Sequence, residues 1–207
     1  LGHNSYRFLW VDSQHAALNE ERLVSFCEMA STLDLDVQFR IPDTRQTHLI
    51  GRYLDLGPSG VEVPEVESAS TVNEAISNFY YPPTGTRSMG GLTRVGLKNH
   101  QDPKDYADWW AKYGVLWIQV ESVKSVSDSQ KLAKSGIDCV SIGPTDLSFS
   151  IAANPNTPFN SVDDCVRHVV DQLKDTTVAV CYRPSNREET QKYADMGIRI
   201  LLERWNF

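Results

Sequence analysis

The chain has 207 residues, 41% hydrophobic and 23% charged, which suits one soluble domain with a sizeable core. Its formal charge of −7, with no block of lysine and arginine, argues against nucleic acid as a partner, because phosphate binding needs concentrated positive charge. No apolar run reaches the roughly 20 residues that span a bilayer, and no basic-then-apolar start reads as a signal peptide. A cytoplasmic protein with no membrane partner is the expectation. Cys27, Cys139, Cys165 and Cys181 form no CxxC pair and read as small buried hydrophobes, with a disulfide or zinc role as the minor alternative.

In chain order, Phe8-Leu9-Trp10-Val11 reads as a strand, and Leu23, Phe26, Cys27 and Ala30 recur at helical spacing. Val37-Gln38-Phe39 is the next strand, followed by a helix carrying Leu49, Ile50, Tyr53 and Leu54 that stops at Gly57. Gly60–Val63 is a strand, and Val72, Ala75, Ile76 and Phe79 mark a helix. The stretch 81–87, rich in proline and glycine, is loop. A helix at Pro103–Tyr113 leads into the strand Val115–Val120, then a weak helix ending at Gly136 and the strand Cys139–Ile142. A helix from Ser161 buries Val162, Val166, Val169, Val170 and Leu173. Strand Val178–Cys181 precedes a helix with capping-box spacing Ser185-x-x-Glu188, which ends at Gly197 before the strand Ile198–Leu202.

Seven readable strands alternate with helices, which implies parallel pairing with helical crossovers, hence an α/β fold. No glycine-rich turn follows an early strand, as a doubly wound sheet would show, so a (β/α) TIM-type barrel is expected. One domain over residues 1–207 suffices.

A barrel places its active site at the C-terminal strand ends. Those positions hold Asp12, Arg40, Pro64, Glu121 and, a little beyond its strand, Asp146. Singly, each could be a solvated strand end. Together, two carboxylates without a histidine or cysteine pair suit a hard divalent cation, Mg²⁺ or Mn²⁺. Such an ion polarises a 2-oxo acid, and a fixed arginine stabilises the enolate charge that develops.

At these residues the sequence resembles the HpcH/HpaI-type class II pyruvate aldolases, of the 4-hydroxy-2-oxoheptanedioate aldolase kind, in the phosphoenolpyruvate/pyruvate barrel superfamily. Asp12-Ser13-Gln14-His15 is similar to the family's Asp-x-Glu-His, Arg40-Ile41-Pro42 to Arg-Val-Pro, and Leu54-Asp55-Leu56-Gly57 to Leu-Asp-x-Gly. Gly60-Val61-Glu62-Val63-Pro64-Glu65-Val66 is similar to the family's strand ending Val-Pro-x-Val, and the segment 81–87 to Tyr-Pro-Pro-x-Gly-x-Arg. Gln119-Val120-Glu121 and Gly143-Pro144-Thr145-Asp146-Leu147-Ser148 complete the set.

The resemblance implies a metal-dependent carbon–carbon lyase acting on 4-hydroxy-2-oxo acids through a metal-bound pyruvate enolate. By its motifs, Glu121 and Asp146 hold the metal, Arg40 stabilises the enolate, and His15, oriented by Asp12, assists proton transfer. Gly143, Pro144 and Thr145 offer main-chain groups to the substrate carboxylate, with Gln119 in support. Asp55 corresponds to a residue placed near a neighbouring subunit's site, which implies a homo-oligomer; an exposed helix residue is the alternative. A surface histidine is the minor alternative for His15, and Arg87 reads first as a staple for its loop.

The sequence departs from the pattern at Gln14, where the family has Glu. The resemblance starts at the family's second strand and lacks counterparts of the first β/α unit and the last helix. Two other functions stay open. One is a condensation using oxaloacetate, as in siderophore-type citrate synthesis or macrophomate synthesis, with Arg45, Arg52 and Arg87 as candidate anion partners. The other is a non-catalytic shortened relative.

Overall fold

A computed structural model describes residues 6–203. Strands and helices alternate as β1 (Phe8–Asp12), α1 (Glu20–Thr32), β2 (Asp36–Arg40), α2 (Ile50–Leu54), β3 (Gly60–Val63), α3 (Ala69–Phe79), α4 (Pro103–Tyr113) and β4 (Val115–Val120). There follow α5 (Val123–Ser127), α6 (Ser129–Leu132), β5 (Cys139–Ile142), α7 (Pro144–Ala153), α8 (Val162–Leu173), β6 (Ala179–Tyr182), α9 (Arg187–Asp195) and β7 (Ile200–Leu201). The chain groups into two compact units. One runs up to Pro64 and includes Asn73–Leu116; the other joins Glu65–Val72 to the chain from Trp117 onward.

In the first unit β1, β2 and β3 pair in parallel, with Asp12 opposite Arg40 and Arg40 opposite Glu62. Paired residues on adjacent strands point to the same side of a sheet, so these three charged side chains share one face at the C-terminal strand ends. Leu23, Cys27 and Ala30 form the buried stripe of α1, which Asn19 caps by accepting from the Arg22 N–H. A cap of this kind contributes about 1 kcal/mol. The expected Leu49–Leu54 helix opens instead as a 3₁₀ turn over Thr44–Leu49, with Asp43 accepting from the Arg45 N–H. Tyr106 and Trp110 of α4 are both buried, and Trp110 donates to the Phe79 carbonyl at 3.0 Å.

In the second unit β4, β5 and β6 pair in parallel from Trp117 opposite Cys139 and Cys139 opposite Ala179, and β7 joins β6. The buried stripe of α8, Cys165, Val166, Val169 and Leu173, packs against α5, α6 and α7. Each such aliphatic side chain contributes about 1.5–3 kcal/mol on burial.

Two local expectations need correction, and one helix had not been read from the sequence. The weak helix before Gly136 is two short ones, α5 and α6, because Ser122 closes a capping box with Ser125 and Asp128 sits at the junction between them. The cap of α9 is Asn186, not Ser185: Asn186 accepts from the Glu189 N–H, and Glu189 accepts from the Ser185 N–H. The residues after β5 form a helix, α7, started by Pro144 at a position where its missing N–H costs nothing.

All four cysteines are buried, and among the described residues none is joined in a disulfide. Burial pushes the Cys27 and Cys165 thiols up to about 12, which keeps them protonated and unsuited to metal or disulfide chemistry. Among the described residues no helix is long and apolar enough to cross a membrane.

Candidate active site

Glu121 follows the last residue of β4, and Asp146 lies in the first turn of α7. Both line a cavity of about 480 Å³, together with Glu65, Glu67 and the hydroxyl residues Ser68, Thr71, Ser122 and Ser125. Glu121 is buried, whereas Asp146 is exposed. The Glu65 N–H donates to Glu121 Oε1 at 2.9 Å, and the Val66 N–H donates to the Gln119 carbonyl at 2.9 Å. Glu65 reaches this position with a left-handed backbone, φ 50°, an uncommon conformation for a residue with a β-carbon.

Gly143 makes room for the arrangement. A β-carbon on residue 143 would overlap Glu121 Oε2 and would stand 2.8 Å from Glu121 Cβ and 2.9 Å from Gln119 Nε2. Gln119, Glu121 and Gly143 are thus packed together. Gly143 is also the residue preceding α7, so Pro144 and Thr145 belong to the helix start that leads to Asp146. That end of a helix carries main-chain N–H groups without intrahelical partners and favours anions.

Among the described residues no group of three or more His, Cys, Asp and Glu could hold a metal ion. The cavity is lined by four carboxylates, Glu65, Glu67, Glu121 and Asp146, and by hydroxyls, an all-oxygen set that fits a hard cation keeping water or substrate oxygens in its other positions.

In the first unit Arg40, 5% exposed, forms a forked pair with Asp12: Nε donates to Oδ1 at 2.9 Å and Nη2 to Oδ2 at 2.7 Å. Asp12 Oδ1 also accepts from the Gln14 and His15 main-chain N–H groups at 2.9 and 3.4 Å. Burial pushes the Asp12 carboxyl up, but the Arg40 hydrogen bonds and charge, with the two N–H donors, outweigh it and hold it below the ordinary range. The contact of Asp12 with His15 therefore runs through the main chain, and His15 is an exposed residue.

Asp55 pairs with Arg87 at 2.8 Å. The Arg87 side chain is fully buried, with its guanidinium 4.8 Å from both the Tyr81 and the Trp110 ring centroids, and among the described residues its Nε and Nη1 meet no hydrogen-bond partner. Arg87 thus holds its proline-rich loop against Asp55 and α4. Gly91, at φ 74°, passes so close to Asp55 that a β-carbon would stand 2.7 Å from Asp55 Cβ. Arg45 and Arg52 are paired with Asp43 and Glu20, so all three arginines weighed as anion partners already face carboxylates. Trp109 stacks on Tyr113 and His100, with ring centroids 4.4 and 4.6 Å away.

Two features were given no role by the motif reading. Glu62 is 2% exposed and accepts from the Trp10 indole N–H. The signal was an acidic residue between Val61 and Val63 in an otherwise apolar strand. Glu65 and Glu67 line the acidic cavity, and their spacing beside Pro64 is visible in the sequence, although their convergence with Glu121 is not.

Parallel β/α units with charged residues at the strand C-termini define an α/β fold of the TIM-barrel type. Comparison with known proteins agrees. A family model described as HpcH/HpaI aldolase/citrate lyase matches residues 9–200. The chain is 30% identical over 198 residues to the hydroxypyruvate/pyruvate aldolase of Agrobacterium fabrum, covering 95% of this chain and 73% of that one. It is 25% identical over 195 residues to a 4-hydroxy-2-oxo-heptane-1,7-dioate aldolase of Escherichia coli, covering 93% and 73%. The crystal structure of an HpcH/HpaI aldolase from Desulfitobacterium hafniense matches with a TM-score of 0.82 at 26% identity, covering 96% of this chain and 77% of that one. The chain belongs to the HpcH/HpaI aldolase/citrate lyase family.

Proposed function

We propose that the protein is a metal-dependent carbon–carbon lyase that cleaves or forms 4-hydroxy-2-oxo acids by way of the pyruvate enolate. The observation that carries this reading is that Glu121 and Asp146, the two carboxylates singled out by the motifs, line one cavity. Names of relatives in the family, aldolases for hydroxypyruvate or pyruvate and for a 4-hydroxy-2-oxo acid, support the same class of reaction.

Glu121 and Asp146 would hold Mg²⁺ or Mn²⁺, which when bound supplies Lewis-acid polarisation of a 2-oxo acid. The chain's own residues do the rest. The Glu65 N–H fixes Glu121 Oε1, and Gly143 leaves the space that Oε2 occupies. The start of α7, with Gly143, Pro144 and Thr145, receives the substrate carboxylate, and Gln119 packs against it. Arg40, held at a fixed angle by the Asp12 fork, serves the enolate oxygen. His15 assists proton transfer, and Asp12, through the His15 N–H, fixes the turn that carries it. Asp55, held by Arg87, takes the role the family gives a residue near a neighbouring subunit's site, in a homo-oligomer.

The test is pyruvate release from 4-hydroxy-2-oxoheptanedioate, followed by coupled reduction, with Mg²⁺ or Mn²⁺ and after chelation. Release that needs the cation supports the reading. Folded, metal-replete protein that releases no pyruvate from this or shorter 4-hydroxy-2-oxo acids overturns it.

A further inference from the structure

Glu62 is a buried ionisable group for which the chemistry proposed above has no use. A carboxylate at 2% exposure is costly unless its oxygens are met by donors or charge. One such donor is the Trp10 indole N–H. The Trp10 ring in turn lies under the Arg40 guanidinium, whose central carbon is 5.0 Å from the ring centroid. Registers explain how the three meet. Asp12, Arg40 and Glu62 stand in one row across β1, β2 and β3, and Trp10 stands one pleat repeat below Asp12 on the same face.

We infer that Glu62 is a positioning residue for Arg40. It pins the Trp10 indole by its N–H, and the pinned ring supports the guanidinium while Asp12 takes the Nε and Nη2 edge. A guanidinium on a flexible stem needs two constraints to keep one orientation: one in its plane and one on its face. The Asp12 fork supplies the first, and the Glu62–Trp10 pair supplies the second. The inference rests on the reading that assigns Arg40 to the enolate oxygen, and it adds a device that sets the angle of that group.

The device predicts a graded response. In Glu62→Gln the amide oxygen still accepts from the indole, so Arg40 stays in place. In Glu62→Leu the acceptor is lost but volume is kept, and replacing a buried charge by an apolar residue is commonly tolerated by the fold. In Trp10→Phe the face remains but nothing pins it. Exchange of the pyruvate methyl protons with deuterated water, measured in full-length protein, is expected to lose about tenfold in kcat in Glu62→Leu with KM for pyruvate unchanged. Glu62→Gln stays within about twofold, and Trp10→Phe with Glu62→Leu together loses no more than Glu62→Leu alone, because both cut one linkage.

A second readout needs no turnover. In ¹H–¹⁵N spectra the Trp10 indole N–H and Arg40 Nε–H resonances both move in Glu62→Leu, while Glu62→Gln keeps the Arg40 resonance near its original position. If the Arg40 resonance stays put in Glu62→Leu and Trp10→Phe, the inference is overturned, whatever the activity. It is also overturned if wild-type protein exchanges pyruvate protons and Glu62→Leu does so equally well. Failure of the wild type to exchange at all counts against the proposed function, and the spectra then decide the positioning claim by themselves.

Discussion

The Glu121 carboxylate fills the space that a side chain on residue 143 would need: a β-carbon there overlaps Oε2 and stands 2.8 Å from Glu121 Cβ. The glycine at the start of α7 and the acid at the end of β4 are therefore one structural choice. A side chain at 143 would displace the acid.

Gly143→Ala should accordingly act on the cation rather than on the fold. The added methyl forces Glu121 to rotate and pushes Gln119 Nε2, an overpacking cost of about 1–3 kcal/mol if the pocket yields locally. The expected outcome is Mn²⁺ affinity reduced at least about tenfold by calorimetric titration, with cooperative unfolding retained. Unchanged affinity would mean that the Glu121 oxygens do not serve the ion.

The Arg40–Asp12 fork sets a pH dependence of stability. Asp12 is held below its ordinary value of 3.8, so it binds protons less readily folded than unfolded. Its contribution is fully present above the unfolded value and is lost as pH falls through the lower folded one. Urea midpoints between about pH 2 and 5 should therefore fall more steeply for wild type than for Asp12→Asn. At neutral pH the Asn variant should be the less stable of the two, because Arg40 keeps its charge after losing the carboxylate.

Arg87 makes a sharper case because its side chain is fully buried. Asp55→Asn removes the carboxylate that faces a guanidinium stacked between Tyr81 and Trp110. Leaving such a charge unpaired costs about 3 kcal/mol or more. Thermal unfolding should drop by several degrees, and adding Arg87→Met to Asp55→Asn should restore part of the loss. A double variant less stable than Asp55→Asn would show that the arginine contributes by packing rather than by charge.

Much of this was legible in the sequence. Strands β3, β4 and β5 are short, mostly apolar and mostly buried runs between turn residues, and the expected limits match the observed ones. Helix α7 was not legible because its apolar residues Leu147, Phe149 and Ile151 fall on alternate positions and Phe149 is 68% exposed, so no helical stripe appears. The α9 cap slipped by one residue because Ser185-x-x-Glu188 and Asn186-x-x-Glu189 are equally good boxes on paper. The motif acids Glu121 and Asp146 could be named from their strand ends. The supports around the motif residues could not. The Glu65 N–H on Glu121, the Gly143 gap and the Trp10 N–H on Glu62 depend on strand register and on one left-handed residue, which no spacing encodes.

The most direct test of the acidic pair is deuterium exchange at the pyruvate methyl group, run for wild type, Glu121→Gln and Asp146→Asn, each with Mn²⁺ and with chelator. Cation-dependent exchange in the wild type is predicted, with both variants reduced at least about a hundredfold and Mn²⁺ binding weakened in parallel. Exchange that persists in either variant at the wild-type rate, or that ignores the chelator, would contradict the assignment of Glu121 and Asp146 to a shared cation.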